Sequence, residues 1–387
     1  MTVMQNPESV SQKNALKSVG RIAGKTLLLF LLVNLVFALW YPVRELGRLS
    51  AYNELLPGRQ RLPYGDHPQK SFNLSLFNLE AMFASHELAG GPKPEDEFRV
   101  LLIGDSSAWG FLLPVEDTLS ARINAFGSTV PDGRTVRVYN LGYPVMSLTK
   151  DLLLLSYGLQ YDPDMIVWPV TLESMPADKQ LSPAILTHNP QNVRDLVKKY
   201  RLDVDVQSVE WVEPTLWERT IAGGRRGLAD WLRLQLYGVL WAATGIDQDI
   251  PESYTPRMED LADDKSFHDL EPDLMESDLA FDVLNAGIKM SGDVPLLIIN
   301  EPMFISRGEN SDIRYNYYYP RWAYDGYRVL MDRMSESNNW NYIDLWDVIP
   351  PPEFTNSAVH LSPEGSELFA RLVLDSILEL VGDTEID

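Results

Sequence analysis

Between Phe98 and Val381 near-continuous apolar runs alternate with amphipathic stretches, and this rhythm limits the fold more than any other feature of the chain. FRVLLIG, TVRVYNLG, DMIVWPV, DVPLLIIN and WNYIDLW read as strands without the polar alternation of a half-exposed sheet. Strands that are apolar on both sides belong to a parallel sheet covered on both faces, with helices as crossovers. VEDTLSARINAF, SLTKDLLLLSYGLQ and Ala323–Met334 read as such helices. SPEGSELFARLVLDSILELV closes the series, with Ser362 as its cap and Pro363 as its start signal. The expected fold is α/β, a three-layer parallel five-stranded sheet of flavodoxin-like order.

Thr26–Val43 carries no charge over 18 residues, just enough to cross a bilayer core. Trp40 and Tyr41 stand at one end, where amphipathic rings favour the membrane interface, and Lys13, Lys17, Arg21 and Lys25 precede the run. No small-residue cleavage site follows, since Leu39-Trp40-Tyr41-Pro42 occupies its place. The sequence therefore predicts a cytoplasmic segment over 1–25, an uncleaved transmembrane anchor over 26–43 and an extracytoplasmic remainder. A net charge of −22 argues against nucleic acid or an anionic membrane surface as the main partner. The absence of cysteine excludes a disulfide framework, a thiolate metal site and a cysteine nucleophile. No nucleotide loop or metal-ligand cluster is visible in the sequence, so no cofactor is expected.

Residues 44–96 are polar, with glycine and proline scattered through them, and read as a tether with one helix near Leu74–His86. The domain over 97–387 is interrupted at 177–293, where the strand–helix rhythm is lost and a mostly helical cap is expected. Within it, Leu228–Gly245 is apolar apart from Asp230, Arg233 and Gln235. Charges at mid-length argue against a second span. The segment reads first as a buried helix of the cap, and otherwise as an amphipathic helix closing over the site or lying against the bilayer. The acidic tract Asp247–Asp282 reads as a solvated face. RYNYYYPRWAY, Arg314–Tyr324, fits either a packed loop anchoring the insertion or a groove for sugar rings, with packing preferred.

The first strand candidate stops at Gly104-Asp105-Ser106. Open α/β sheets bind ligands beyond the carboxyl ends of their strands, and a serine that opens a helix has free backbone N–H groups beside it. Ser106 needs a base. Of the five histidines His67, His86, His188, His268 and His360, only His360 follows a core strand and precedes a helix. A serine after the first strand and a histidine after the last can meet across the top of the sheet, where the imidazole would take the hydroxyl proton.

With these residues in place the chain resembles the SGNH (GDSL-type) hydrolase superfamily over Phe98–Pro176 and Val294–Val381. Gly104-Asp105-Ser106 matches the nucleophile block, and the resemblance implies Ser106 as nucleophile and as a backbone oxyanion donor. Asn140-Leu141-Gly142 matches the second block, implying the Gly142 N–H as another donor. His360, followed by Gly365, matches the last block. Two positions depart from the pattern. Thr171, Leu172, Glu173 and Ser174 stand where Gly-x-Asn-Asp would be, and Glu173 cannot donate to an oxyanion unless protonated. Ser357 stands three before His360 in place of aspartate; Asn356 ranks first as the residue that orients the imidazole, with Asp344 or Asp347 as substitutes. The resemblance implies acyl transfer through an acyl-serine, as an esterase or an O-acyltransferase acting on O-acyl esters of a cell-surface glycan. Anchored relatives in bacterial envelopes imply a membrane-bound O-acyltransferase as partner. The alternative is a non-catalytic glycan-binding or scaffold protein on the same fold.

Overall fold

The computed structural model describes residues 7–64, 77–244, 253–270 and 272–384. A long helix α1 (Pro7–Trp40) leads through short helices α2 (Val43–Gly47), α3 (Ala51–Leu55) and α4 (Leu79–Ala84) to strand β1 (Glu97–Leu102). There follow α5 (Ser106–Trp109), α6 (Leu119–Ala125), β2 (Thr135–Asn140), α7 (Leu148–Gly158) and β3 (Met165–Val170). The insertion carries α8 (Ala184–Thr187), α9 (Pro190–Tyr200) and α10 (Arg225–Thr244). The chain then forms α11 (Phe281–Ser291), β4 (Leu296–Asn300), α12 (Arg321–Asn338), β5 (Asn341–Asp344) and α13 (Pro363–Thr384).

All strand pairs are parallel and the order is β2-β1-β3-β4-β5. Alternate side chains divide the core into two layers, as the period of a strand requires. Leu101, Tyr139, Ile166, Trp168, Leu296 and Ile298 face a layer with α7, α11 and α12. Val100, Leu102, Val138, Val167, Leu297 and Ile299 face α6 and α13. Burying a leucine or valine from water contributes about 1.5–3 kcal/mol, so each strand is secured from both sides. This is the expected three-layer fold. Its order reverses between β1 and β3, and the crevice of such a sheet opens at that switch point.

Four boundaries differ from the sequence reading. The long helix stops at Trp40 rather than continuing to residue 43: Tyr41 takes φ 47° ahead of Pro42, whose ring cannot extend a helix. Residues 44–64 and 77–96 are not a loose tether, because Tyr52, Leu62, Phe83 and His86 are completely buried. His86 Nε2 meets the Asn140 carbonyl at 3.0 Å, and Arg61 bridges Asn140 in parallel register, covering the end of edge strand β2. Of the helix expected at Leu74–His86, residues 74–76 lie outside the described residues and Leu79–Ala84 is helical. Finally, α11 falls inside the expected insertion yet packs on the sheet: a Cβ at Gly287 would come within 2.4 Å of the Trp168 ring. The acidic residues before it mask its apolar face in the sequence.

The aromatic segment 314–324 is packed. Tyr315, Tyr319 and Tyr324 are buried, and Arg314 gathers the carbonyls of Asp264, Ser266, Asn316, Tyr317 and Tyr318, tying the insertion to the domain.

Candidate active site

The chain turns sharply after β1, and two glycines make the turn feasible. Gly104 has φ +143°, and a Cβ there would lie 3.0 Å from Ala108 Cβ and 3.3 Å from the Pro169 carbonyl. Gly110 ends α5 in the left-handed region at φ +84°, where a Cβ would meet Thr118 Cγ2 at 2.6 Å. Between them Asp105 caps the single helical turn, its Oδ1 accepting from Ser107 N at 2.7 Å. Ser106 is thereby held at the carboxyl end of β1, beside the switch point.

Buried polar groups hold this turn from several sides. Lys150, without solvent exposure, donates from Nζ to the Gly104 carbonyl at 2.7 Å and the Tyr143 carbonyl at 2.8 Å, and pairs with Asp151. Asn140 Nδ2 donates to the Ala108 carbonyl at 2.8 Å, and Arg61 Nη1 to the Gly110 carbonyl at 2.7 Å. Ser107 Oγ donates to Glu301 Oε2 at 2.6 Å. Burial pushes the Glu301 carboxyl well above the carboxylate range, and the neighbouring Asp105 charge adds to that. The Glu301 and Asp105 side chains hydrogen-bond each other, which requires one proton between the two carboxyls. Burial also raises Asp151, to about 6, against the pull of Lys150.

The opposite half of the site comes from the loop after β5. Thr355 N donates to the His360 carbonyl at 2.8 Å, and Phe304 N, just past β4, donates to the Ala358 carbonyl at 2.6 Å. Ser362 Oγ accepts from Gly365 N at 3.0 Å, capping α13 as its sequence suggests. The closed loop carries the imidazole to Ser106: His360 Nε2 lies 2.8 Å from Ser106 Oγ, and Nδ1 lies 2.9 Å from Asn356 Oδ1. An amide oxygen only accepts, so Nδ1 bears the proton and Nε2 accepts from the Ser106 hydroxyl. Phe111 packs against the imidazole with ring centroids 4.9 Å apart. Burial lowers the His360 pKa to about 4, keeping the ring neutral at physiological pH.

The structure brings Ser106, His360 and Asn356 together and sets the other candidates apart. Asp344 accepts from Asn300 Nδ2 at 2.8 Å and from Arg328, and Asp347 is exposed. Neither is the partner of His360 Nδ1, a correction to their place as substitutes. The Glu173 carboxylate is paired with Lys179 at 2.5 Å and His268 at 3.2 Å, and Leu172 beside it is completely buried. No side-chain amide stands in Thr171–Ser174, and the Glu173 N–H donates to the Tyr319 hydroxyl at 3.2 Å. Gly142 N donates to Asn140 Oδ1 at 3.0 Å, so it is committed within the protein rather than free as expected. Lys150, Glu301 and Arg61 were not singled out by sequence reasoning. A Lys-Asp pair among the leucines of SLTKDLLLL is the one local signal that a buried ion pair sits there.

Five parallel strands in this order, a Gly-Asp-Ser turn after the first and a histidine loop after the last are the arrangement expected from the sequence resemblance. No protein-family model and no curated protein matches the chain. Solved structures similar to it include a carbohydrate acetylesterase family member from Sinorhizobium meliloti, at 11% identity and TM-score 0.33, covering 73% of this chain and 99% of that one. A lipase/acylhydrolase from Enterococcus faecalis is 15% identical with TM-score 0.34, covering 73% and 95%. A catalytic mutant of an acetylxylan esterase from Geobacillus stearothermophilus is 12% identical with TM-score 0.35, covering 72% and 94%.

Proposed function

We propose that the protein is a membrane-anchored, extracytoplasmic acyl-transfer enzyme that acts on O-acyl esters of a cell-surface glycan through an acyl-Ser106 intermediate. The observation that carries this reading is the continuous Ser106–His360–Asn356 chain, at 2.8 and 2.9 Å. Neutral His360 takes the Ser106 proton on Nε2 as Oγ attacks the ester carbonyl. The negative oxygen of the tetrahedral intermediate is met by the Ser106 N–H, and by the Gly142 N–H once Asn140 Oδ1 releases it. The imidazolium returns its proton to the departing alcohol, leaving the acyl group on Ser106. A second hydroxyl then attacks, His360 again acting as base, and free Ser106 is restored. Water as the second acceptor makes the protein an esterase; a sugar hydroxyl makes it an O-acyltransferase.

Support for the location comes from α1, whose residues Leu16–Trp40 are long and apolar enough to cross a bilayer and are mostly exposed. Support for a sugar comes from Tyr317 and Tyr318. Both are half-buried, with ring centroids 4.3 Å apart, and Tyr317 OH lies 3.2 Å from Ser357 Oγ in the loop that holds His360. Their remaining faces offer apolar area and hydroxyls to a pyranose ring. A membrane-bound O-acyltransferase is the partner that would supply the acyl group in the transferase case. The missing amide donor at Glu173 favours one rival, a glycan-binding scaffold that performs no chemistry. A serine-directed fluorophosphonate decides between them. Labelling of the wild type that is lost in Ser106→Ala supports the enzyme, and an unlabelled wild type that still binds glycan overturns it. Release or transfer of acetate from an acetylated oligosaccharide then separates esterase from transferase.

A further inference from the structure

Helix α10 is not the buried cap helix that its composition suggests. Its inner face is fixed: Gly238 lets the Tyr52 ring approach so closely that a Cβ would lie 2.1 Å from Cδ1, and the buried Trp241 lies beneath Arg59. Gln235 Oε1 accepts from Ala51 N at 2.8 Å. Its outer face carries Leu232, Leu236 and Leu240 at i, i+4 and i+8, exposed by 56%, 70% and 58%, with Tyr237 beside them. The loop leading into α10 adds Leu216 and Trp217, exposed by 60% and 63%. Soluble surfaces rarely leave so many large apolar side chains together without a partner.

The position of this surface identifies the partner. Ala222 N donates to Asn34 Oδ1 at 3.0 Å, and Asn34 Nδ2 turns back to the Phe30 carbonyl at 2.9 Å. Asn34 lies six residues before the end of α1, which at 1.5 Å per residue is about 9 Å down the helix. It is the amide within the uncharged run, and the loop buries it to 7% exposure. In hydrocarbon a polar group must find a protein partner, and here a backbone N–H and a side-chain amide satisfy each other. Gly227 and Leu228, in the first turn of α10, line one groove with Phe37 and Tyr41 from the end of α1. The helix then runs along α3, which follows α1 after ten residues that include α2.

We propose that α10 and the loop before it lie in the outer leaflet, with the leucine stripe and Trp217 among the acyl chains, and that they fix the domain's height and tilt over the bilayer. This rests on the reading of α1 as a membrane span. The occupant is lipid rather than another protein because the loop before α10 is bonded to Asn34 inside the uncharged run of α1, which carries the leucine stripe to the same bilayer; the charged residues around that junction are Glu213, Glu218, Arg225 and Arg226, together with Arg219 and Arg44. The last two sit at Tyr41, where guanidinium groups can reach headgroups.

The chain has no cysteine, so single labelling sites can be introduced directly. Leu29→Cys in α1, Leu236→Cys and Leu240→Cys in α10, and Val329→Cys on the exposed side of α12 would each carry a polarity-sensitive fluorophore. The full-length protein is reconstituted in phosphatidylcholine–phosphatidylglycerol vesicles, and quenching by brominated lipid is compared with quenching by aqueous iodide. Bromolipid quenching at 236 and 240 is expected to approach that at 29 and to exceed that at 329 by at least threefold. Quenching at 236 and 240 equal to that at 329, with 29 still lipid-quenched, overturns the proposal and leaves the span intact. An iodide-quenched label at 29 overturns the span itself, and the proposal falls with it.

Discussion

The two halves of the site are built from opposite materials. The turn that carries Ser106 is held by buried charge: Lys150 on the Gly104 and Tyr143 carbonyls, Asp151 beside it, and the Asp105–Glu301 carboxyl pair beneath. The loop that carries His360 has no charge next to the imidazole, only the amide of Asn356 and the ring of Phe111. One half is over-determined in geometry, while the other is under-supplied in electrostatics. A carboxylate beside a histidine stabilises the imidazolium that forms during attack, and an amide only orients the ring. The site therefore places its base with care but keeps it weak, with a pKa near 4.

The strongest way to break the contrast is to remove the charge from the rigid half. Lys150→Met should leave Asp151 buried without its cation, costing about 3–5 kcal/mol, and should free the Gly104 carbonyl. Denaturant unfolding in detergent should show that loss, and fluorophosphonate labelling should fall as the turn loosens. Unchanged stability would mean that the lysine does not carry the turn.

Adding charge to the other half should mainly affect chemistry. Asn356→Ala should lower kcat on the order of 10²-fold while sparing the fold, because the ring loses its orienter. Asn356→Asp should keep or raise the plateau rate and move the acid limb of kcat/KM upward from about pH 4. The sign follows from the charge: a carboxylate favours the imidazolium, so the proton is held to higher pH and the neutral base appears later. A pH–rate profile from 3.5 to 9 measures the shift, and an unmoved limb would remove Asn356 from the relay.

A smaller effect separates the roles within the carboxyl pair. Glu301 is raised far above its unfolded value, so the folded state holds a proton that the unfolded chain releases above about pH 4.5. Its penalty on stability is absent in acid and grows as pH rises towards the folded pKa. Glu301→Gln can still accept from Ser107 and donate to Asp105, without that penalty. The variant should match the wild type near pH 4 and exceed it in stability at pH 8, as read by unfolding at the two pH values.

The same contrast explains what the sequence discloses. The strands are legible because both of their faces are apolar, and a serine or histidine at their ends stands out against that background. Asn356 is legible by proximity to His360 once an aspartate is missing from Ser357. The rigid half is hidden because its partners come from separate crossovers: Lys150 opens α7, Glu301 follows β4, and Arg61 lies in a polar stretch that reads as linker. That stretch docks through isolated residues such as Tyr52 and Leu62, which have no periodicity to reveal them. For α10, composition shows an apolar helix, but only packing shows which side is covered.

The smallest expected effect closes the question of which side chain orients the imidazole. Asp344 accepts from Arg328 Nε and Nη2 at 2.8 Å, and from Asn300 Nδ2. Asp344→Asn keeps an acceptor for the Asn300 amide and loses only a part-exposed ion pair, worth about 1 kcal/mol or less after screening by solvent. Its kcat and its pH profile should stay within twofold of the wild type, while Asn356→Ala under the same conditions loses most of its turnover. The reverse result, with Asp344→Asn inactive and Asn356→Ala active, would require the loop after β5 to rearrange during turnover. Asp344 would have to leave Arg328, and His360 would have to rotate away from an acceptor 2.9 Å away. The crossed comparison therefore tests whether this resting geometry is also the working one.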